Sequence, residues 1–167
     1  MEIGGRGDCK NSALDLSPRF EHHMVYMKRT ASAVWKGGLK DGKGAISTGS
    51  GVLSETQYSF GTRFEQGIGT NPEELIAAAH AGCFAMALSA QLGEAGMVAE
   101  SIHATATVAL EKVAAGWTVT QSHLEVAAKI PGADPAAFDK AANSAKAGCP
   151  ISRLLNAKVS LDAKLEA

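Results

Sequence analysis

The chain has 167 residues, 46% of them hydrophobic and 20% charged, with 16 Lys and Arg against 17 Asp and Glu. That length suits a single domain with one substantial core, and the near-neutral charge removes any electrostatic case for nucleic acid or an anionic membrane as partner. No unbroken apolar run is long enough to span a bilayer, and Met1-Glu2-Ile3-Gly4-Gly5-Arg6 opens no signal sequence, so a cytoplasmic protein is expected.

Three cysteines, Cys9, Cys83 and Cys149, are too few for a disulfide scaffold. In a reducing compartment a pair of thiols is more often catalytic, regulatory or metal-binding. Residues 1–26 mix Gly, Asp, Asn, Ser-Pro and His22-His23 without sustained periodicity, and read as an N-terminal extension, mobile or docked through Leu14, Leu16 and Phe20. Residues 27–167 read as one domain.

Alternation in Thr30-Ala31-Ser32-Ala33-Val34-Trp35 predicts a strand, and the glycines from Gly37 to Gly44 predict a hairpin turn after it. The run Gly37-Gly38-Leu39-Lys40-Asp41-Gly42-Lys43 imitates the spacing of a phosphate loop, but Gly44 stands at the Ser/Thr position and a strand is expected to follow. Ala45-Ile46-Ser47-Thr48 and residues 57–64 supply further extended segments. Next comes the clearest helix: Asn71 as cap, Pro72 at the first position, Glu74 in the first turn, then an Ala-rich run. Its expected apolar face is Leu75, Ala78, Ala79, Gly82, Cys83, Met86 and Leu88. So many small side chains around Cys83 predict that another helix approaches its backbone.

Beyond Gly93 to Gly96, residues 102–110 alternate as a strand, and 117–130 form its hairpin partner, with a phase change that predicts a bulge between Thr120 and His123. Asp134-Pro135 starts a helix to about Lys146, Gly148 stops it, Pro150 starts a short one, and residues 158–165 alternate again. The expected order is β-β-β-α-β-β-α-α-β, an α+β domain.

Four segments together carry a resemblance: Tyr58-Ser59-Phe60-Gly61-Thr62-Arg63-Phe64, Gly69-Thr70-Asn71-Pro72-Glu73-Glu74-Leu75, Ala78-Ala79-His80-Ala81-Gly82-Cys83-Phe84-Ala85-Met86, and Ala147-Gly148-Cys149-Pro150-Ile151-Ser152. In order and content the chain resembles the osmotically inducible protein C (OsmC) family, related to the organic hydroperoxide resistance (Ohr) proteins. The resemblance runs from about Met27 to the C-terminus and leans to the OsmC branch. It implies antiparallel sheets packed around central helices in an intertwined homodimer, with active sites at the subunit interface. It implies a thiol peroxidase that reduces organic hydroperoxides and hydrogen peroxide without metal or prosthetic group. An external dithiol or a lipoylated protein would be the reductant. Residue by residue, Cys83 matches the attacking sulfur, Cys149 the resolving one, Arg63 the activating cation and Glu73 the acid that orients it.

The chemistry of those residues is consistent with such roles. A thiolate that attacks a peroxide O–O bond becomes a sulfenic acid, and a second thiol converts it to a disulfide before further oxidation. A free thiol is mostly protonated at neutral pH, so the attacking sulfur needs a cation or a helix N-terminus nearby. Arg63 supplies a permanent charge, and a carboxylate such as Glu73 can hold its planar head by two parallel hydrogen bonds. On one helix, however, Glu73 and Cys83 would stand about 15 Å apart along the axis. Either Arg63 bridges them, the helix breaks near Gly82, or one group comes from a second chain; a composite site is favoured. Local reasoning alone nominates Cys149 as the thiolate, because it precedes the helix that Pro150 begins.

Each residue also has an ordinary explanation. A lone free cysteine is more often core than catalyst, and a lone Arg63 or Glu73 is more often surface charge. His80 lies three positions before Cys83, but no second pair at ligand spacing accompanies it, so a core or site-lining histidine is expected and no metal. The competing function is a non-enzymatic stress protein that binds an apolar small molecule in a dimer-interface groove, with the thiols as packing groups.

Overall fold

Glycine sets how the fold begins. In a computed structural model of the protein, which describes residues 27–166, β1 (Ala31–Lys36) and β2 (Lys43–Thr48) pair antiparallel around the glycine-rich turn, and β3 (Thr56–Ser59) joins the far side of β2. The extension expected over 1–26, with Cys9, lies outside the described residues. Trp35, Gly44 and Tyr58 form one cross-strand row, with the two aromatic rings 5.4 Å apart. A Cβ on Gly44 would collide with the Tyr58 ring, so only glycine lets these rings close over β2. The segment that imitates a phosphate loop is therefore the turn of a hairpin.

The extended segment expected to reach Phe64 stops at Ser59. Ser59 Oγ accepts the Thr62 N–H at 3.2 Å, and Thr62 Oγ1 accepts the Ser59 N–H at 2.8 Å. This reciprocal cap starts a helix, α1 (Phe60–Phe64), in place of the strand. A local Ser-x-x-Thr cap has overridden the strand preference of Phe60, Thr62 and Phe64.

α2 (Pro72–Glu94) follows, with Asn71 Oδ1 accepting the Glu74 N–H at 2.9 Å, and it runs unbroken through Gly82. β4 (Ser101–Val113) and β5 (Gly116–Lys129) form the long hairpin. Thr120 has no partner between the pairs Leu110–Val119 and Ala109–Gln121, which puts the bulge at the edge of the expected span. α3 (Pro135–Gly148), α4 (Pro150–Leu154) and β6 (Lys158–Glu166) complete the chain. β6 pairs parallel to β5, so the second sheet is mixed, where antiparallel sheets were expected. The physical reason is the connection: α3 and α4 carry the chain back to the starting end of β5, a crossover that a hairpin cannot make.

The core lies between this second sheet and the two longer helices. Leu124, Val126 and Ala128 on β5 meet Phe84, Leu88 and Leu92 of α2 and Phe138, Ala141, Ala142 and Ala145 of α3. The buried face of α2 is thus His80, Phe84, Leu88 and Leu92, repeating every four residues. Ala78, Ala79, Gly82, Met86 and Ala90, most of which were expected to be buried, are exposed on the single chain, and nothing lies within 4 Å of a Cβ at Gly82. By length and composition α2 could also cross a bilayer, although Phe84 and Leu88 are wholly enclosed within the folded chain.

Candidate active site

The sulfurs of Cys83 and Cys149 stand 3.0 Å apart, and both thiols are free. Cys83 comes from the middle of α2. Cys149 occupies the single residue between α3 and α4, where it closes one helix and opens the next; its N–H donates to Ala145 O at 2.8 Å and its carbonyl accepts from the Arg153 N–H at 3.0 Å. Pro150 at the first helical position fixes this corner. Contact between residues so distant in sequence is a product of the packing of α3 and α4 on α2.

The two sulfurs differ in character. Burial pushes the Cys83 thiol up, and the neighbouring Cys149 adds to the rise, while the Ile151 backbone N–H opposes it. At Cys149 burial is again the largest single influence and acts upward. Cys83, the backbone and hydroxyl of Ser152 and the Ile151 backbone together outweigh it, so this thiol falls below its ordinary value. Within one chain, the thiolate is therefore favoured at Cys149, as local reasoning expects.

Arg63 and Glu73 meet each other. Arg63 Nη2 donates to Glu73 Oε1 at 2.7 Å and Nε to Oε2 at 3.1 Å, a two-pronged pair that aligns the guanidinium. α1 supplies the arginine from its last turn and α2 supplies the glutamate from its first. Asn71 Nδ2 donates to Thr62 O at 3.2 Å and ties the two helices together beside the pair. Among the described residues no hydrogen bond links Arg63 to either sulfur. Because α2 does not break at Gly82, Glu73 stays about 15 Å along the axis from Cys83, and one chain brings together two pairs rather than one quartet.

An apolar wall adjoins the arginine. Trp35, Leu39, Tyr58, Phe60, Arg63 and Phe64 line a cavity of about 290 Å³. Phe64 stacks on Phe60 at 4.9 Å and on Trp117 at 5.3 Å, and the guanidinium lies 5.3 Å from the Phe64 ring centre. Of the other apolar residues that sequence reasoning considered for a substrate tail, Phe84 is fully buried in the core, whereas Ile68 and Met86 are exposed.

His80 is fully buried. Its Nδ1 lies 2.7 Å from Ser122 Oγ and its Nε2 lies 2.8 Å from Ser152 Oγ, and burial depresses its pKa. Neither serine was foreseen. Ser122 carried a signal, since it interrupts the inward-facing row that Leu124, Val126 and Ala128 continue. Among the described residues no group of three or more His, Cys, Asp or Glu side chains is placed to hold a metal ion.

Comparison with known proteins places the chain in a family. Residues 65–164 match the OsmC-like protein family. Peroxiredoxin OsmC of Escherichia coli K12 is 51% identical over 138 residues, covering 83% of this chain and 96% of that protein. Among solved structures, the organic hydroperoxide resistance protein OhrB of Bacillus subtilis aligns with a TM-score of 0.58 and 25% identity over 82% of this chain and 98% of its own. An OsmC-like protein of Mycoplasma pneumoniae shares the fold at a TM-score of 0.69, with 11% identity over 86% of this chain and 100% of its own. The chain belongs to the OsmC family.

Proposed function

We propose that this protein is a cysteine-based peroxidase that reduces organic hydroperoxides and hydrogen peroxide in defence against oxidative stress. The observation that carries the reading is the 3.0 Å separation of two free thiols in a chain 51% identical to a peroxiredoxin. A disulfide of about 2.05 Å needs only about 1 Å of further approach.

In the first step the Cys83 thiolate attacks one peroxide oxygen. The O–O bond breaks, the departing alkoxide takes a proton to become the alcohol, and Cys83 becomes a sulfenic acid. Cys149 then attacks the Cys83 sulfur, an S–S bond forms, the S–O bond breaks, and hydroxide leaves to become water. An external dithiol, such as a small dithiol or a lipoylated protein, returns both thiols by exchange. No metal or prosthetic group enters this cycle, and a reducing compartment such as the cytoplasm suits it.

Burial raises the Cys83 thiol, so this sulfur needs a cation, and among the described residues of its own chain none is hydrogen-bonded to it. A second copy supplies one. The exposed small-residue stripe of α2 suits close helix contact, and an antiparallel crossing centred on Ala78, midway between positions 73 and 83, sets Glu73 of one chain opposite Cys83 of the other. Arg63, already aligned on Glu73, then reaches the thiolate across the interface. The aromatic cavity beside Arg63 receives the alkyl or aryl tail of the hydroperoxide. The reading is tested by mutating Arg63 and Cys83 separately and mixing the two inactive proteins. Subunit exchange restores activity in mixed dimers if the site is shared between chains, and restores none if each site is built from one chain.

A further inference from the structure

We infer that His80 is a positioning residue for Cys149, acting through Ser152. The inference rests on the assignment of Cys149 as the resolving thiol and adds a device that sets it. Three side chains from three elements form a line that is fully buried at Ser122 of β5 and His80 of α2 and partly buried at Ser152 of α4, joined at 2.7 Å and 2.8 Å through the two ring nitrogens. Ser152 stands three positions after Cys149, at the first turn of α4, and its hydroxyl and backbone both act to lower the Cys149 thiol.

Hydrogen counting gives this line a direction. A neutral imidazole has one donor nitrogen and one acceptor nitrogen. Ser122 is fully buried, and among the described residues its hydroxyl meets no partner besides His80. If Nδ1 carried the proton and donated to Ser122, the serine O–H would itself be left without an acceptor in the core, which is unfavourable. Ser122 therefore donates to Nδ1, and the ring proton sits on Nε2. Nε2–H donates to Ser152 Oγ, and the Ser152 hydroxyl proton is free to point at Cys149. Burial keeps His80 neutral, so the ring holds a direction and does not carry the proton away.

The consequence falls on the resolving step and on the exchange that follows. A hydroxyl aimed at sulfur favours the thiolate over the thiol. The Cys149 thiolate is the species that attacks the Cys83 sulfenic acid, and a stabilised thiolate also departs readily when a dithiol attacks the disulfide at Cys83. The line thus acts directly on the second sulfur.

The test uses the full chain with Cys9 and Cys83 both changed to Ser, which leaves Cys149 as the single thiol, and follows thiolate absorbance against pH. Ser152→Ala raises the Cys149 midpoint by about one pH unit, the scale of one hydrogen bond to a charged group. His80→Leu produces a similar rise, His80→Gln, which keeps a donor toward Ser152, recovers part of it, and Ser152→Ala with His80→Leu together add little to either alone. An unchanged midpoint in folded Ser152→Ala protein, or fully additive effects of the two changes, overturns the inference. Should His80→Leu fail to fold, the Ser152→Ala result decides alone. No peroxide is used, so the outcome stands apart from the peroxidase reading: a shifted midpoint in a protein without peroxidase activity overturns only that reading, and an unshifted one in an active protein overturns only this inference.

Discussion

Cys83 on α2 and Cys149 at the α3–α4 corner hold their sulfurs 3.0 Å apart, yet among the described residues no cationic side chain hydrogen-bonds to either sulfur. The Arg63–Glu73 pair is equally complete in itself. Two half-sites on one chain support the proposal of a site shared between two copies.

Removing the guanidinium tests the second half-site. Arg63→Ala is expected to lower kcat/KM for hydroperoxides by about 10²-fold, the scale of losing a donor aimed at charge that develops in the transition state. Stability should change by no more than about 1 kcal/mol, because the ion pair is partly exposed. Steady-state kinetics alongside urea unfolding separate the two effects.

The bare stripe on α2 makes a prediction about assembly. Gly82→Leu has room on the single chain, and losing a helical glycine favours α2 by a few tenths to about 1 kcal/mol. Circular dichroism should therefore be unchanged, whereas sedimentation should show the dimer weakened or lost, and peroxidase activity lost with it. A dimer of undiminished stability would remove α2 from the interface.

Substrate preference should follow the aromatic wall. Phe64→Ala removes a ring that stacks on Trp117 and is expected to raise KM for cumene hydroperoxide about tenfold, on the scale of the burial of a few methylene groups. Hydrogen peroxide has no tail to bury, and its kcat/KM should stay near the wild-type value.

The buried histidine gives stability a pH dependence. Burial depresses the His80 pKa below its usual 6.5, so between the two values the unfolded chain binds more protons than the folded one. Stability from this group is fully present above 6.5 and is lost as pH falls from there toward the folded pKa. Urea midpoints measured down this range should decline in the wild type and decline less in His80→Gln.

Much of this was legible from single residues with local causes. Asn71 with Pro72, and Asp134 with Pro135, marked both long helices because caps act within one turn. The hairpins followed from glycine and alternation. Arg63 and Glu73 were nameable by resemblance, and their two parallel hydrogen bonds followed from the chemistry of guanidinium and carboxylate, but α1, which carries Arg63, was hidden by residues that also suit a strand. The face of α2 was misjudged for a related reason: on an Ala-rich helix almost every side is apolar, and His80 at the buried position is the polar residue that periodicity would place outside. The parallel pairing of β6 depends on how α3 and α4 route the chain, which no local pattern encodes.

The central claim is that a hydroperoxide oxidises Cys83 and that Cys149 captures it. Reduced protein mixed with one equivalent of cumene hydroperoxide per chain should lose two thiols per chain, with a disulfide joining Cys83 to Cys149 by peptide mass mapping, and Cys83→Ser should lose none. An unchanged thiol count in the wild type, or equal loss in Cys83→Ser, would contradict it.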